Sequence, residues 1–260
     1  MPKTTTDLKI TFLGTGTSQG VPMIACPCRV CHSDDPRDKR LRSSVLITQG
    51  EKNIVVDTTP DFRYQMLRAQ VVRLDAILIT HAHKDHIAGM DDVRAFNYFQ
   101  QRAIDIYAEE SSEHVIRQEF HYAFAEKKYP GVPDINLHRI SEDSFCIDGI
   151  KVQPIRVMHY KMPVLGFRIG DFTYITDANY VSAAEKEKIK GSRVLVLNTL
   201  RKEPHISHFT LQEAMDLSDE LQVPETYFTH ISHQLGLHAE VSAELPTGKH
   251  LAYDGLQLVV

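Results

Sequence analysis

The sequence of 260 residues lacks several features that mark whole classes of protein. It has no run of about 20 consecutive apolar residues, which excludes a conventional transmembrane helix. The first seven residues are polar, so we expect no secretory signal peptide there. No Gly/Ser-rich or Pro-rich linker divides the sequence, and no repeat of fixed period is present. We therefore expect a cytoplasmic protein without a membrane partner that forms a single domain over residues 1–260.

Positive charge is not in excess, because 29 lysines and arginines face 34 aspartates and glutamates, giving a formal net charge of −5. That balance argues against the broad basic surface that dominates affinity for nucleic acid, so nucleic acid is a less favoured partner. The basic run 37–42 is interpreted as a solvated surface, with a small nucleic-acid contact as the alternative. Cysteine is scarce, at four residues, and in the cytoplasm these should be thiols or metal ligands.

Histidine, by contrast, is abundant and clustered, with 14 residues in the chain. The densest cluster, His81-x-His83-x-Asp85-His86, directly follows the apolar segment 76–79. Neutral imidazole and carboxylate are the usual protein ligands of Zn, Mn and Fe. A strand that ends in a tight loop lets His81 and His83 face one metal, while Asp85 and His86 turn towards a second.

Hydrophobic patterns predict strands in an early and a late group, with helices between them. This arrangement predicts an α/β fold with two mixed β-sheets flanked by helices. The predicted strands lie near residues 8–13, 44–48, 53–57, 75–80, 104–107, 151–157, 165–169, 172–176, 193–197, 225–229 and 251–260, and the helices over 61–69, 90–100, 111–126, 181–190 and 210–221.

Four local patterns add detail to this prediction. Gly170-Asp171 is expected to turn the chain between two strands, and Asp254-Gly255 between apolar flanks predicts a hairpin. Thr210 and Glu213 have the spacing of a capping box at the start of a helix. Prolines and a glycine within 125–145 predict a loop or lid.

The histidine cluster matches the His-x-His-x-Asp-His motif of the metallo-β-lactamase-fold hydrolases, and other landmarks of that superfamily follow in order. Each lies after an apolar segment: Asp57, His159, Asp177 and His230. The resemblance implies an αββα sandwich that holds two divalent metal ions (Zn, Mn or Fe), with a metal-bound hydroxide as the nucleophile. Asp57 is expected to orient a metal-ligating histidine.

The resemblance also implies how the ligands divide between the two metals. The first metal would be held by three histidines and the second by an aspartate and two histidines, with one aspartate bridging both. In that order, these residues are His81, His83 and His159; Asp85, His86 and His230; and Asp177.

The sequence around His159 and His208 resembles the phosphodiesterase branch of the superfamily, which includes the tRNA 3′-processing endonucleases. His159 is followed by a short spacer and a Gly-Phe pair at 166–167, and His208-Phe209-Thr210 begins a predicted helix. In that branch the comparable histidine is a general acid or stabilises the phosphoryl transition state, and this role is assigned to His208. His205 remains a competitor for it.

A second cluster, Cys26-Pro-Cys28-Arg-Val-Cys31, predicts a structural zinc site because three thiols lie within six residues. The fourth ligand could be Cys146, His32 or His233, and His233 is favoured. The cluster resembles that of the phosphoribosyl cyclic phosphodiesterases of bacterial phosphonate breakdown. In those proteins a histidine three residues after the last active-site histidine completes the zinc site, as His233 follows His230 here.

The sequence therefore predicts a dinuclear metal-dependent phosphodiesterase that acts on a small or cyclic phosphodiester. An RNA-processing endonuclease of the tRNA 3′-end type is one alternative. A non-catalytic metal-binding protein of a cofactor pathway is another. A homodimer is compatible with the sequence.

Overall fold

The computed structural model describes residues 7–260. Contacts along the chain divide it into two compact units. Of the described residues, unit 1 contains 7–13, 44–141 and 257–260, and unit 2 contains 14–43 and 142–256. Each unit contains one β-sheet.

Unit 1 is built on seven strands and four helices. Its elements are β1 (Leu8–Gly14), β2 (Ser44–Gln49), β3 (Lys52–Val56), α1 (Phe62–Arg68), β4 (Ala76–Leu78), α2 (Lys84–Ile87), α3 (Arg94–Gln100), β5 (Ile104–Glu109), α4 (Glu110–Glu119), β6 (Ile135–Ile140) and β15 (Gln257–Val259), with 3-10 turns at Met90–Val93 and His121–Phe124.

The sheet of unit 1 has the strand order β15-β1-β2-β3-β4-β5-β6. β2 and β3 are antiparallel, whereas β3, β4, β5 and β6 run parallel to one another. All three residues of β4 are buried, as expected of a central parallel strand covered on both faces. Because β3 and β4 are parallel neighbours, the residues that follow them meet at the same edge of the sheet.

Unit 2 contains eight strands of the second sheet and three helices. Its elements are β7 (Phe145–Ile147), β8 (Ile150–His159), β9 (Met162–Ile169), β10 (Phe172–Ile175), β11 (Tyr180–Val181), α5 (Ala183–Ile189), β12 (Val194–Asn198), α6 (Leu211–Glu220), β13 (Glu225–Thr229), α7 (His238–Glu244) and β14 (Lys249–Leu251), with a 3-10 turn at Pro36–Asp38.

The sheet of unit 2 has the order β11-β8-β9-β10-β12-β13-β14, and β7 pairs with β8. The β8–β9–β10 meander is antiparallel, and β10, β12, β13 and β14 are parallel. Gly166 on β9 allows the close approach of β10, because a Cβ atom there would lie 2.8 Å from the carbonyl oxygen of Tyr174. Both sheets are therefore mixed and flanked by helices, which confirms the predicted fold class.

Apolar side chains of each sheet and its helices form a separate core in each unit. In unit 1, Val55, Ile77 and Ile106 pack with Phe62 and Phe96 of the helices. In unit 2 the corresponding core includes the following buried residues of strands and helices: Ile155, Val164, Leu195, Leu197, Ala214, Leu217 and Phe228. These cores hold the strand ends, and hence the residues that follow them, in fixed positions.

Two of the local predictions are confirmed. Gly170-Asp171 joins β9 and β10, whose end residues Ile169 and Phe172 pair directly. Thr210 caps α6, accepting a hydrogen bond from the backbone N–H of Glu213, while the Glu213 carboxylate accepts one from the Thr210 N–H. Glu213 thus completes the capping box.

Two other local predictions are wrong. Asp254-Gly255 does not make a hairpin, because β14 pairs with β13 in unit 2 while β15 pairs with β1 in unit 1. The segment 125–145 is not loop throughout, because β6 lies in it and pairs in parallel with β5. The α7 helix was not predicted.

No helix within residues 7–260 combines the length and the apolar character that a membrane span demands.

Candidate metal centres

Unit 1 carries its candidate ligands at one edge of the sheet. Asp57 is the first residue after β3, and the segment 80–86 follows β4 and continues into α2. Because β3 and β4 are parallel, both loops leave the sheet at the same edge. The Asp57 carbonyl oxygen and the backbone of β2 are further tied by Ser44, whose hydroxyl donates to the carbonyl oxygens of Val56 and Asp57.

The imidazoles of this loop lie against one another. His81 Nε2 is 3.0 Å from His83 Nδ1, and the His81 and His86 ring centroids are 4.2 Å apart. Asp85 Oδ2 lies 3.2 Å from His86 Nε2. His81 and His86 are buried, whereas His83 is exposed and Asp85 is partly buried. Nitrogen and oxygen donors at such spacing are those that Zn, Mn and Fe accept.

Asp57 is fully buried and organises this loop. Its carboxylate accepts hydrogen bonds from the Thr80 N–H and hydroxyl, both at 2.8 Å, and from His86 Nδ1 at 2.7 Å. Burial raises the pKa of Asp57, and the neighbouring His86 opposes that rise. With Nδ1 donating to Asp57, Nε2 is the unprotonated nitrogen of the neutral His86 ring and therefore the candidate metal ligand.

We expect Asp57→Asn to lower the affinity of the His81–His86 loop for divalent metal by about 10–100-fold, because an amide holds the His86 tautomer less firmly. Titration of the purified protein with Zn²⁺ or Mn²⁺ measures this. The matched control is Asp105→Asn, since Asp105 also accepts from an imidazole, that of His138, but on the exposed face of β5. Equal metal affinity in both variants would show that Asp57 has no such role.

Unit 2 carries its candidate ligands after the ends of three strands and in one loop. His159 ends β8, Asp177 lies two residues after β10, and His230 is the residue after β13. His208 lies in the loop before α6. One ligand atom each from His159, Asp177 and His208 lies within 4.8 Å of the others.

Asp177 is the buried centre of this second cluster. Its Oδ1 lies 2.9 Å from His230 Nε2 and 3.3 Å from His208 Nδ1. The His159 Nδ1 donates to the carbonyl oxygen of Ser207 at 3.0 Å, which leaves Nε2 with its lone pair. The arrangement can therefore hold a divalent cation between imidazole nitrogen and carboxylate oxygen.

His208 lies in the middle of the imidazoles of unit 2. Its ring centroid is 4.7 Å from that of His159 and 5.0 Å from that of His230. Burial is the main cause that lowers the pKa of His208 to about 3; His230 adds to the effect and Asp177 opposes it. His205 stacks on the other side of His208, with centroids 5.1 Å apart, and its Nδ1 lies 3.3 Å from the Ser207 hydroxyl. Of the two histidines left open by the sequence, His208 is the one beside Asp177.

Three of these residues have left-handed backbone. The φ angles are 65° at Asp57, 51° at Asp177 and 56° at His230. Residues other than glycine adopt the left-handed region at a cost of order 1–3 kcal/mol. Such strained residues cluster at functional sites. Each strand end thus bends sharply at the residue that bears the candidate side chain.

The three clustered cysteines and His233 come together in unit 2. Their ligand atoms all lie within 4.8 Å of one another, and His233 Nδ1 is 3.3 Å from the sulfurs of both Cys26 and Cys28. A Cys3His set of this size fits tetrahedral zinc. Of the other candidates for the fourth ligand, Cys146 is exposed on β7, and His32 Nδ1 is 3.2 Å from the carbonyl oxygen of Cys28.

The thiols of this cluster differ in acidity. Burial tends to raise the pKa of Cys28, but hydrogen bonds from the Cys31 N–H and from His233 lower it to about 6. Burial raises the pKa of Cys31 to about 11, and the sulfurs of Cys26 and Cys28 add to this rise. A divalent cation would relieve the repulsion between neighbouring thiolates, as it does in structural zinc sites.

Arg40 was predicted to lie on a solvated surface, and this prediction is wrong. The residue is only 4% exposed, and burial lowers its pKa to about 10. Its guanidinium donates to the Thr15 hydroxyl, the Ala252 carbonyl oxygen and His238 Nδ1. The sequence offered no sign of this burial, because the arginine lies within a run of charged residues.

Arg40 also supports the segment that carries His230. The carbonyl oxygen of Thr15 accepts from the Ile231 N–H at 2.9 Å, and the Thr17 N–H donates to the Ile231 carbonyl oxygen at 3.1 Å. The Thr17 hydroxyl lies 3.3 Å from His230 Nε2. The segment 15–17 therefore fixes the backbone on which His230 stands.

We expect Arg40→Met to lower the free energy of unfolding by about 3 kcal/mol, because three buried polar groups lose their donor. Urea unfolding measures the change. The control is Arg37→Met, since Arg37 forms its ion pair with Asp35 near the surface and should contribute about 1 kcal/mol or less. A midpoint for Arg40→Met equal to that of the control would contradict this assignment.

The chain is similar in sequence and fold to known proteins. The family described as "Beta-lactamase superfamily domain" matches residues 52–231. A crystal structure of a new diphosphatase from the PhnP family has a TM-score of 0.92 and 40% identity, over 98% of this chain and 97% of that one. Human tRNase Z, short form, has a TM-score of 0.70 at 19% identity, over 96% and 98%, which shows the fold alone.

A longer relative also matches nearly the whole chain. An octanoyltransferase of Porphyromonas gingivalis is 41% identical over 97% of this chain and 52% of its own length. The chain thus spans about half the length of this curated relative. The likenesses in sequence and structure confirm the predicted superfamily: the chain belongs to the β-lactamase superfamily, as a metallo-β-lactamase-fold protein of the PhnP family.

Proposed function

We propose that the chain is a dinuclear metal-dependent phosphodiesterase, one hydrolase domain that cleaves a small or cyclic phosphodiester. The observation that carries the proposal is the cluster of His159, Asp177 and His208, whose ligand atoms lie within 4.8 Å of one another around the buried Asp177. The 40% identity to a PhnP-family diphosphatase over nearly the whole of both chains supports the same reaction class.

We assign the metal ligands as the superfamily motif arranges them. The donor chemistry fits, because Asp57 and the Ser207 carbonyl oxygen occupy Nδ1 of His86 and His159 and leave Nε2 for a metal. One metal would be held by His81, His83 and His159. The other would be held by Asp85, His86 and His230, and Asp177 would bridge the two.

Two divalent cations, when bound, would supply Lewis acidity and activate water for attack on phosphorus. The residues of the chain provide the surroundings for that step. Asp57 holds His86, and Thr17 lies against His230. We assign His208 to the leaving oxygen as a hydrogen-bond donor to developing charge, because burial lowers its pKa to about 3 and keeps the imidazole neutral near pH 7.

We further propose that Cys26, Cys28, Cys31 and His233 hold one structural zinc ion. Because His233 lies three residues after His230, zinc would anchor the segment that carries the last active-site ligand. The zinc ion would have a structural role outside the reaction centre. Its four protein ligands would complete the tetrahedral coordination and leave no open position for substrate.

Metal analysis and turnover of bis(p-nitrophenyl) phosphate test the proposal together. Purified protein should contain about three metals per chain, two exchangeable and one retained by thiolates. A mild chelator should abolish turnover, and Mn²⁺ or Zn²⁺ should restore it. A protein that is folded and active with no metal would overturn the assignment.

A tRNA 3′-processing endonuclease is the second candidate, and the fold likeness to human tRNase Z favours it. The net charge of −5 weighs against a nucleic-acid substrate. A pre-tRNA assayed beside the small diester distinguishes the two. Turnover of neither would favour the third candidate, a non-catalytic metal-binding protein of a cofactor pathway.

The relative named octanoyltransferase does not change this proposal, because 48% of its length lies outside the match. Its name therefore assigns no role to a residue of this chain. A homodimer and a cytoplasmic location stay predictions, and sedimentation analysis measures the first of them.

A further inference from the structure

Three large apolar side chains are exposed in unit 2 close to its ligand cluster. Tyr160 is 49% exposed, Tyr180 57% and Ile206 65%. Large apolar side chains are normally buried, and a group of exposed ones beside polar catalytic residues is typical of a ligand-binding surface. We call these three residues the aromatic rim, after the two tyrosines among them.

Asn179 ties the backbone of the aromatic rim together. Its side-chain oxygen accepts from the Tyr160 N–H at 2.8 Å, and its side-chain nitrogen donates to the Ile206 carbonyl oxygen at 3.0 Å. Its own N–H donates to the carbonyl oxygen of Met158 at 2.8 Å, and the next residue, Tyr180, pairs with Met158 across β11 and β8. The Asn179 side chain therefore ties the backbone of Tyr160 to that of Ile206, next to Tyr180 on β11.

The aromatic rim is directly attached to the ligand cluster of unit 2. Tyr160 follows His159, and Ile206 precedes Ser207, whose carbonyl oxygen accepts from His159 Nδ1. Between them, His205 stacks on His208 with ring planes 30° apart. The stacked pair thus presents a flat ring next to the ligand cluster.

The backbone of Tyr160 has a strained conformation, which indicates a functional role for this residue. Its φ is 58°, a left-handed conformation that is rare for a bulky aromatic residue. At the tip of the β8–β9 hairpin glycine or asparagine would fit without this strain. The Lys161 ammonium lies 5.3 Å from the Tyr160 ring centroid, which places a positive charge beside the ring.

We propose that the aromatic rim is a subsite for the leaving group of the substrate and binds a planar aromatic group of the nucleobase class. Half-exposed tyrosine rings stack on bases irrespective of their identity, and each such contact contributes about tenfold in affinity. The Lys161 ammonium would form an ion pair with the phosphate of a nucleotide. The inference rests on the phosphodiesterase function proposed above and adds to it the chemical class of the group released.

Calorimetric titration of the metal-loaded protein with AMP and with ribose 5-phosphate tests the subsite, because ribose 5-phosphate carries a hydroxyl group where AMP carries the base. We expect AMP to bind about tenfold or more tightly than ribose 5-phosphate. Tyr160→Ala and Tyr180→Ala should each bring the ratio of the two dissociation constants towards one. Tyr160→Phe should preserve the ratio, because it keeps the ring.

Tyr98→Ala is the control, since Tyr98 is a 71% exposed tyrosine on α3 of unit 1. It should change neither the ratio nor turnover. Equal affinities of the unmodified protein for AMP and ribose 5-phosphate would overturn the subsite. So would a ratio that both alanine variants leave unchanged.

Turnover of methyl p-nitrophenyl phosphate, which carries no base, reports the proposed function separately. Turnover of this ester together with equal affinities for the two ligands would overturn the subsite alone. No turnover would overturn the phosphodiesterase proposal, and with it the assignment of a leaving group to the aromatic rim.

Discussion

Asp177→Asn is expected to lower kcat/KM for bis(p-nitrophenyl) phosphate by about 10³-fold or more. Asp177 is 2% exposed, and its Oδ1 lies close to both His208 and His230. The amide keeps the shape of the side chain but removes the negative charge that would bridge two cations. Circular dichroism and thermal unfolding of the variant should stay close to those of the unmodified protein, because the substitution conserves volume.

Asp216→Asn is the matched control for that experiment. Asp216 is an exposed aspartate on α6 whose carboxylate accepts from Gln212, so turnover should be unaffected. Metal content is measured on both variants, since loss of one active-site metal is the expected cause of inactivity. An Asp177→Asn protein within tenfold of full activity would show that the carboxylate does not bridge the metals.

Cys28→Ser should produce the largest loss of stability among the substitutions considered, with a Tm lower by about 10 °C or more. A serine hydroxyl is a poor zinc ligand, and three remaining ligands bind the ion less tightly. Because zinc binds only the folded state, its loss removes free energy of folding directly. Elemental analysis should find about one metal fewer per chain.

Cys146→Ser provides the control, because Cys146 is exposed on β7. It should leave both Tm and zinc content unchanged. Prolonged treatment of the unmodified protein with a strong zinc chelator should lower its Tm to that of Cys28→Ser. If Cys28→Ser keeps both its zinc and its Tm, the Cys3His zinc site is wrong.

The residues of the candidate site could be predicted from the sequence because they follow recognisable strands. His81, His83 and Asp85 lie within five residues after a buried apolar segment, so their proximity is local. Asp177 and His230 are single residues, and they were assigned because their order along the chain, each after an apolar strand, resembles that of the superfamily. What the sequence could not supply is the set of partners that hold these side chains, such as the Ser207 carbonyl oxygen on His159, because such contacts depend on loops far apart in the chain.

Arg40 shows the opposite case. A charged run is normally solvated, and only tertiary contacts with Ala252 and His238, more than 190 residues away, bury this arginine. Long-range polar networks leave no periodic pattern in the sequence. The prediction for Arg40 was therefore that of an ordinary charged run, a solvated surface.

The fold errors have a similar origin. Asp254-Gly255 is a hairpin pattern, but the strands that flank it belong to different sheets, a choice that local residues do not encode. β6 was missed because its exposed positions carry Asn136, His138 and Arg139, so its pattern is that of a polar segment. It pairs at the edge of the sheet, where only one side needs a strand partner.

The pairing of β1 with β15 and of the cysteine loop with His233 has a consequence for biosynthesis. A ribosome delivers Cys31 about two hundred residues before His233, and it delivers Leu8 long before Val260, its partner in a pair of backbone hydrogen bonds. Chains emerge from the N-terminus at about 5–20 residues per second, so roughly ten seconds or more separate such partners. Neither compact unit can therefore be completed before its later partner, Val260 in unit 1 and His233 in unit 2, has been synthesised.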